Sequence, residues 1–390
     1  VRIRTAQVLA LSLLGATFPA AVGQAAPSPA GVDQIRGDQW HLQYLNSNEA
    51  HGISRGQGVI VAVPDTGVDP HPDLRNNLLP GADIVPGGSG DGQSDQDSHG
   101  TGMAGLIAAT GQGAARGALG VAPMAKILPI RTRVTNATGD SKDLAAAILQ
   151  ATRKGADIIS ISSVAASTTE LQEAVKAATS ADIVIVAAVG NQPRDPHISF
   201  AAAQQEVIVV GGIDRDGNHA AISVTGPEVD VVAPAVDIYS TSSGGKYRRG
   251  TGTSDATAIV AGAVALIRAK YPSLPASEVV HRLTATAVDK GPPGRDDQYG
   301  HGVIDLVAAL TADVPPLGSV PSTAQPTAGA GPTPTAVGPG GSAAAGPDGG
   351  GGSTARGLAT LGVLVAAGGV WMYMNRRRRR GDDPPPRISR

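Results

Sequence analysis

Three polar clusters place an acid, an imidazole and a hydroxyl beside glycine, each next to an apolar run. In "VIVAVPDTGVDPHPDL", Asp65 follows a Val-rich run and enters a glycine-containing turn. In "DSHGTGMAGLIAAT", His99 opens an Ala/Gly-rich stretch, and in "GTGTSDATAIVAGAVALIRAKY", Ser254 opens another. These are the parts of nucleophilic acyl transfer: an imidazole takes the hydroxyl proton, and a carboxylate orients the imidazole and stabilises its charged form. Singly, each has a plain structural role. A serine before an apolar helix is commonly an N-cap, a histidine at a helix start is commonly structural, and an aspartate at a strand end commonly closes a turn. The small residues around His99 and Ser254 would let two helix ends approach closely.

Chemistry of this kind needs elements that bring the three together. Between about Gly31 and Asp313, short apolar runs alternate with helical patterns. "GVIVAV" (58–63), "KILPIR" (126–131), "ADIISIS" (156–162), "DIVIVAAV" (182–189) and "EVIVVGG" (206–212) read as buried strands. Their near-continuous Val and Ile suit a parallel sheet covered on both faces. "HGTGMAGLIAAT", "SKDLAAAILQATRKG" and "ELQEAVKAATSA" have helical spacing. The alternation predicts an α/β fold with a mostly parallel central sheet and helices on both faces. Sites in such folds sit at the carboxyl ends of the strands.

Composition narrows the function classes. The 390 residues carry a net charge of −2, which argues against a general nucleic-acid binder. Aromatic residues make up 3%, too few for base-stacking platforms. The chain has no cysteine, which excludes disulfides, thiolate zinc sites and cysteine nucleophiles. Asp91, Asp95 and Asp97 lack the regular spacing of calcium ligands and read as a solvated acidic loop, so neither a metal nor a cofactor is expected.

Both ends carry membrane signals. Arg2 and Arg4, an apolar run from Val8 to Leu14 and small residues up to Ala26 have the layout of a signal peptide over 1–26. Residues 27–313 form the body, and 314–356 form a Pro/Gly-rich linker that cannot bury enough apolar surface to order itself. Residues 357–374 are uncharged and would span about 27 Å as a helix, close to the hydrocarbon thickness of a bilayer. Trp371 and Tyr373 lie at the end of that stretch, and Arg376 to Arg380 follow. The run of positive charge predicts a cytoplasmic tail over 375–390 and an extracytoplasmic body on a single-pass cell-membrane anchor.

Together, Asp-Thr-Gly after a strand, His-Gly-Thr opening a helix and Gly-Thr-Ser opening a later helix resemble the subtilisin-like serine proteases, or subtilases. The order Asp, His, Ser is that of their triad. "VAAVGN", ending in Gly190 and Asn191, is similar to the segment that supplies their oxyanion donor, and "YGHGVIDLVAAL" (299–310) resembles their closing helix. The resemblance covers roughly Trp40 to Ala312. It implies a subtilisin-like fold and serine endopeptidase activity on proteins or peptides. Ser254 would be the nucleophile, His99 the general base and then acid, Asp65 the orienting carboxylate, and Asn191 an oxyanion donor. Ser162, Ser163, Val164, Ala188 and Gly190 would line the substrate site. The signal peptide, linker, membrane helix and lead-in "DQWHLQYLNSNEAHGISRGQGVIVAV" are similar to the mycosins, which implies a type VII-like secretion complex as a partner.

The chain also departs from that pattern. Val164 and Ala165 stand where the family carries a Gly-Gly substrate edge, and their side chains would narrow the approach. Pro64 removes a strand N–H and is tolerable only where the strand ends. Asp255 follows the serine directly. Facing the oxyanion, its charge would hinder the site; facing solvent, it would act as a helix-start group. Asp255 and the missing glycines are the grounds for an alternative, a catalytically impaired subtilase-fold scaffold.

Overall fold

The computed structural model describes residues 31–88, 90–135, 140–195, 204 and 207–318. The expected signal peptide, membrane helix and cytoplasmic tail, and all but the first residues of the linker, lie outside these. Among the described residues no helix is long and apolar enough to cross a membrane.

Seven parallel strands form the central sheet, in the order β2-β3-β1-β4-β5-β6-β7. They are β1 (Ile60–Asp65), β2 (Ala82–Asp83), β3 (Lys126–Arg131), β4 (Ile158–Ile161), β5 (Val184–Ala188), β6 (Val207–Ile213) and β7 (Val231–Pro234). Their side chains alternate between two apolar cores. Val61, Val63, Ile158, Val184 and Val186 enter one core, with α4 (His99–Ala108) and α7 (Thr253–Lys270). Ala62, Ile159, Ile185 and Ala187 enter the other, with α5 (Ser141–Arg153) and α6 (Thr169–Ser180). Covering both faces explains why the strands lack a polar alternation.

The two helix pairs differ in pattern for the same reason. On α5, Leu144, Ala147, Ile148 and Ala151 are buried at helical spacing, and its outer face is polar. Asp140 caps it by accepting from Lys142 N and Asp143 N, and Thr168 caps α6 through Leu171 N. Every residue of α4 is buried, as is nearly all of α7, so both run through the interior. A second, antiparallel sheet pairs β8 (Ile238–Ser242) with β9 (Lys246–Gly250). Short helices α1 (Ile35–Asp38), α2 (Trp40–Tyr44) and α3 (Ser47–Ile53) precede β1, and α8 (Ala276–Ala285) and α9 (Leu306–Thr311) follow α7.

The strand containing Pro64 does not stop there but continues to Asp65, in register with Arg131. Even-numbered residues of β1 direct their backbone polar groups toward β4, as Ile60 does to Asp157, while Val59 and Asp65 bond toward β3. Of the β1 residues, β4 pairs only with Val61 and Ala62. The N–H that Pro64 lacks therefore falls where the β4 ladder has already ended.

Candidate active site

β1 delivers Asp65 to the carboxyl edge of the sheet with its side chain fully buried. His99 is the first residue of α4, and its Nδ1 hydrogen-bonds both Asp65 oxygens, at 2.8 and 2.9 Å. Thr66 N–H donates to Asp65 Oδ1 at 2.7 Å, and Arg133 Nη2 donates to the same oxygen at 3.1 Å. Burial pushes the Asp65 carboxyl up. The charges of Arg133 and His99, with the hydrogen bonds from His99 and Thr66, more than offset that and hold it at about 2. The carboxylate is thus ionised at neutral pH, and Nδ1 carries the proton when the imidazole is neutral.

The α4 start is built around Asp95. Far from being solvated, Asp95 is buried and accepts from Thr66 Oγ1, Asp97 N and Ser98 N on one oxygen and from Thr101 N and Oγ1 on the other. Only Asp91 and Asp97 of this acidic stretch are exposed. Thr66 Oγ1 in turn accepts from Gly100 N at 3.0 Å, which ties the α4 start to the end of β1. Ser98, just before the histidine, holds a left-handed φ of 81° and is gripped by Ser243 across the β8–β9 turn.

Ser254 is the second residue of α7. The cap position belongs to Gly252, which makes no side-chain cap, so Ser254 is not an N-cap. Its Oγ donates to Ser162 O at 3.2 Å, and Ser162 Oγ donates to Ser254 O at 3.2 Å. This reciprocal pair joins α7 to the end of β4. Asn191 follows Gly190 (φ 119°) beyond β5, and its Oδ1 accepts from Thr253 N at 2.9 Å. That bond turns the amide so that Nδ2 is the available donor, next to the start of α7. Ser163 and Ala188 are buried beside this edge, and Val164 is partly exposed. The predicted residues thus fall at the carboxyl ends of β1, β4 and β5 and at the starts of α4 and α7.

Asp255 does not face solvent as a helix-start group would. It is 2% exposed and pairs with Arg248 of β9, Nη1 to Oδ1 at 3.4 Å. Burial pushes its carboxyl up, opposed by the charges of Arg248 and His99.

Arg133, Arg248 and the capping role of Asp95 were not singled out from the sequence. Asp95 left a signal, an Asp shortly before a helix start; the two arginines left none, because their partners depend on strand register and helix approach. "GISRG" (52–56) fits Gly-x-Ser-x-Gly, but its Ser54 is buried and donates to Leu266 O at 2.9 Å, a structural role.

A buried acid–imidazole pair, a serine at a helix start and a parallel sheet beneath them are the parts of a serine hydrolase built on an α/β fold. The profile of the Subtilase family, peptidase S8, matches residues 56–302, and the chain belongs to that family. It is 36% identical over 269 residues to the thermostable alkaline protease of Halalkalibacterium halodurans, covering 68% of this chain and 71% of that one. It is 35% identical over 349 residues to mycosin-1 of Mycobacterium tuberculosis, covering 75% and 77%. A solved structure described as the serine protease MycP1, an essential component of the type VII (ESX-1) secretion system, superposes with a TM-score of 0.64 at 34% identity over 74% of this chain and 92% of that one. The chain is a subtilisin-like serine protease similar to mycosins.

Proposed function

We propose that this protein is an extracytoplasmic endopeptidase that cleaves peptide bonds through Ser254, His99 and Asp65. Ser254 Oγ attacks the scissile carbonyl as its proton passes to His99 Nε2. Asp65 holds Nδ1 and stabilises the imidazolium. Asn191 Nδ2 and the Ser254 N–H stabilise the tetrahedral oxyanion, helped by the positive end of α7. His99 then protonates the leaving amine, and water releases the acyl group. Ser162, Ser163, Val164, Ala188 and Gly190 line the acyl side. The observation that carries this reading is the doubled hydrogen bond from His99 Nδ1 to a buried Asp65.

The proposal extends to location and partners. Residues 357–374 anchor the protein in the cell membrane with its C-terminus cytoplasmic, and the protein acts beside a type VII-like secretion complex. The likeness to mycosin-1 and to MycP1 supports this part.

A second reading, a catalytically impaired scaffold, is favoured by one contact: the Ser254 hydroxyl bonds the Ser162 carbonyl. It must leave that acceptor for His99 before attack. Labelling with a fluorophosphonate probe separates the two. Labelling of the wild type and its loss in Ser254→Ala is expected, and an unlabelled wild type refutes the enzymatic reading.

A further inference from the structure

The residue after Ser254 belongs to a second carboxylate–arginine pair, for which the proposed chemistry has no use. Asp255 is buried one residue beyond the nucleophile, and Arg248 reaches it from β9 at 3.4 Å. The backbone is shaped around this guanidinium. A Cβ on Gly102 of α4 would stand 2.4 Å from Arg248 Nη1, and one on Gly250 would stand 2.2 Å from Nη2. The same Cβ on Gly250 would lie 2.8 Å from Asp255 Oδ2. Two elements thus give up side chains where the pair sits. Among the described residues, Asp255 is the only hydrogen-bond partner of the Arg248 side chain.

A Cβ on Gly252 would stand 3.5 Å from Asn191 Oδ1 and 3.9 Å from Asp255 Oδ2, so the carboxylate lies near the proposed oxyanion donor, and bare it would oppose the chemistry because the developing oxyanion carries the same sign. Breaking a buried pair by removing one partner also leaves the other charge uncompensated, which is worse than replacing both.

We propose that Arg248 is a positioning residue for the reaction: it holds the Asp255 carboxylate toward β9 and compensates its charge, so that the oxyanion forms beside a neutral pair. The inference rests on hydrolysis by Ser254. The other charged or titratable groups facing this pair are His99 on α4 and, behind it, Asp65 at the end of β1 with Arg133. Without Arg248, ionisation of Asp255 places a lone anion beside the oxyanion, and the rate then falls as pH rises through that ionisation.

The test measures the fluorophosphonate labelling rate against pH on the full chain. Arg248→Met is expected to lower the rate at pH 8 by at least about tenfold, the scale of one uncompensated charge a few ångströms away at an effective dielectric of about 20. Its pH profile is expected to turn from a rise into a bell. The double variant Arg248→Met/Asp255→Asn should recover both rate and profile, which lost packing alone would not produce. A wild-type rate and profile in Arg248→Met, or a double variant no faster than the single one, overturns the proposal. Asp255→Asn alone should label at least as fast as the wild type, so a slower rate overturns it even if Arg248→Met does not fold. An unlabelled wild type would instead overturn the hydrolytic reading itself, and this inference with it.

Discussion

Arg133 is the contact on Asp65 with the largest consequence for His99. Its Nη2 lies 3.1 Å from Asp65 Oδ1, which lies 2.8 Å from His99 Nδ1, so the guanidinium nitrogen stands within about 6 Å of the imidazole. At an effective dielectric of about 20, a unit positive charge at that distance opposes an imidazolium by about 3 kcal/mol. The Arg133 side chain is 9% exposed, so solvent screens little of this, although relaxation of the neighbouring dipoles reduces it. Replacing Arg133 by methionine keeps a long apolar stem and removes the charge. The imidazolium formed in the transition state then has the Asp65 carboxylate to itself. The acid limb of the fluorophosphonate labelling rate should move to higher pH by about one to two units, at about 1.4 kcal/mol per unit. Arg133→Lys, which keeps the charge, should leave the limb near its wild-type position. A limb that stays in place in Arg133→Met, or moves to lower pH, would refute the reasoning. It would mean that solvent or Asp65 already cancels the guanidinium charge at the imidazole.

Two further outcomes follow from other buried groups. Asn191→Ala should lower kcat on a cleaved peptide by about 10²–10³-fold with KM little changed, the loss found when one such donor is removed from a subtilisin; an unchanged kcat would exclude Asn191 as an oxyanion donor. His41, on α2, is fully buried with neither ring nitrogen bonded, and burial lowers its pKa to about 3. The unfolded chain therefore binds more protons than the folded one between about pH 6.5 and 3, and stability falls as pH drops through that window. From pH 8 to pH 5 the wild type should lose about 2 kcal/mol more than His41→Leu in urea melts, and equal losses would show that His41 is not buried neutral.

Much of the frame was legible because it is local. "KILPIR" is β3 to the residue, and the two amphipathic helices of the second core lie within a residue or two of their expected bounds. Continuous Val and Ile mark strands buried on both faces whatever their neighbours are. The shortfalls have physical causes. "GVIVAV" was read as ending before Pro64, yet the missing N–H lies beyond the last β1–β4 pair, Ala62 with Ile159, so the strand runs on to Asp65. "YGHGVIDLVAAL" is helical only over Leu306–Thr311, because Val303 is drawn into bridges with Val232 and Val288. β7 is only four residues long, β8 and β9 are rich in polar residues, and their pairing partners, not their composition, make them strands.

The same division runs through the site. The sequence by itself determined which residues are candidates for the chemistry, and in what order they stand, because a strand end or helix start is a property of a few neighbouring residues. It also determined that Ser254 opens a long buried helix. Which groups surround those residues was decided by the tertiary structure alone. Arg133 reaches Asp65 across 68 positions of chain, and Ser162 meets Ser254 across 92. The direction of Asp255, toward Arg248 and away from solvent, depends on how α4, α7 and β9 close on one another. Such contacts arise from strand register and helix approach, which no local pattern encodes, and they set the charge that His99 and the oxyanion experience.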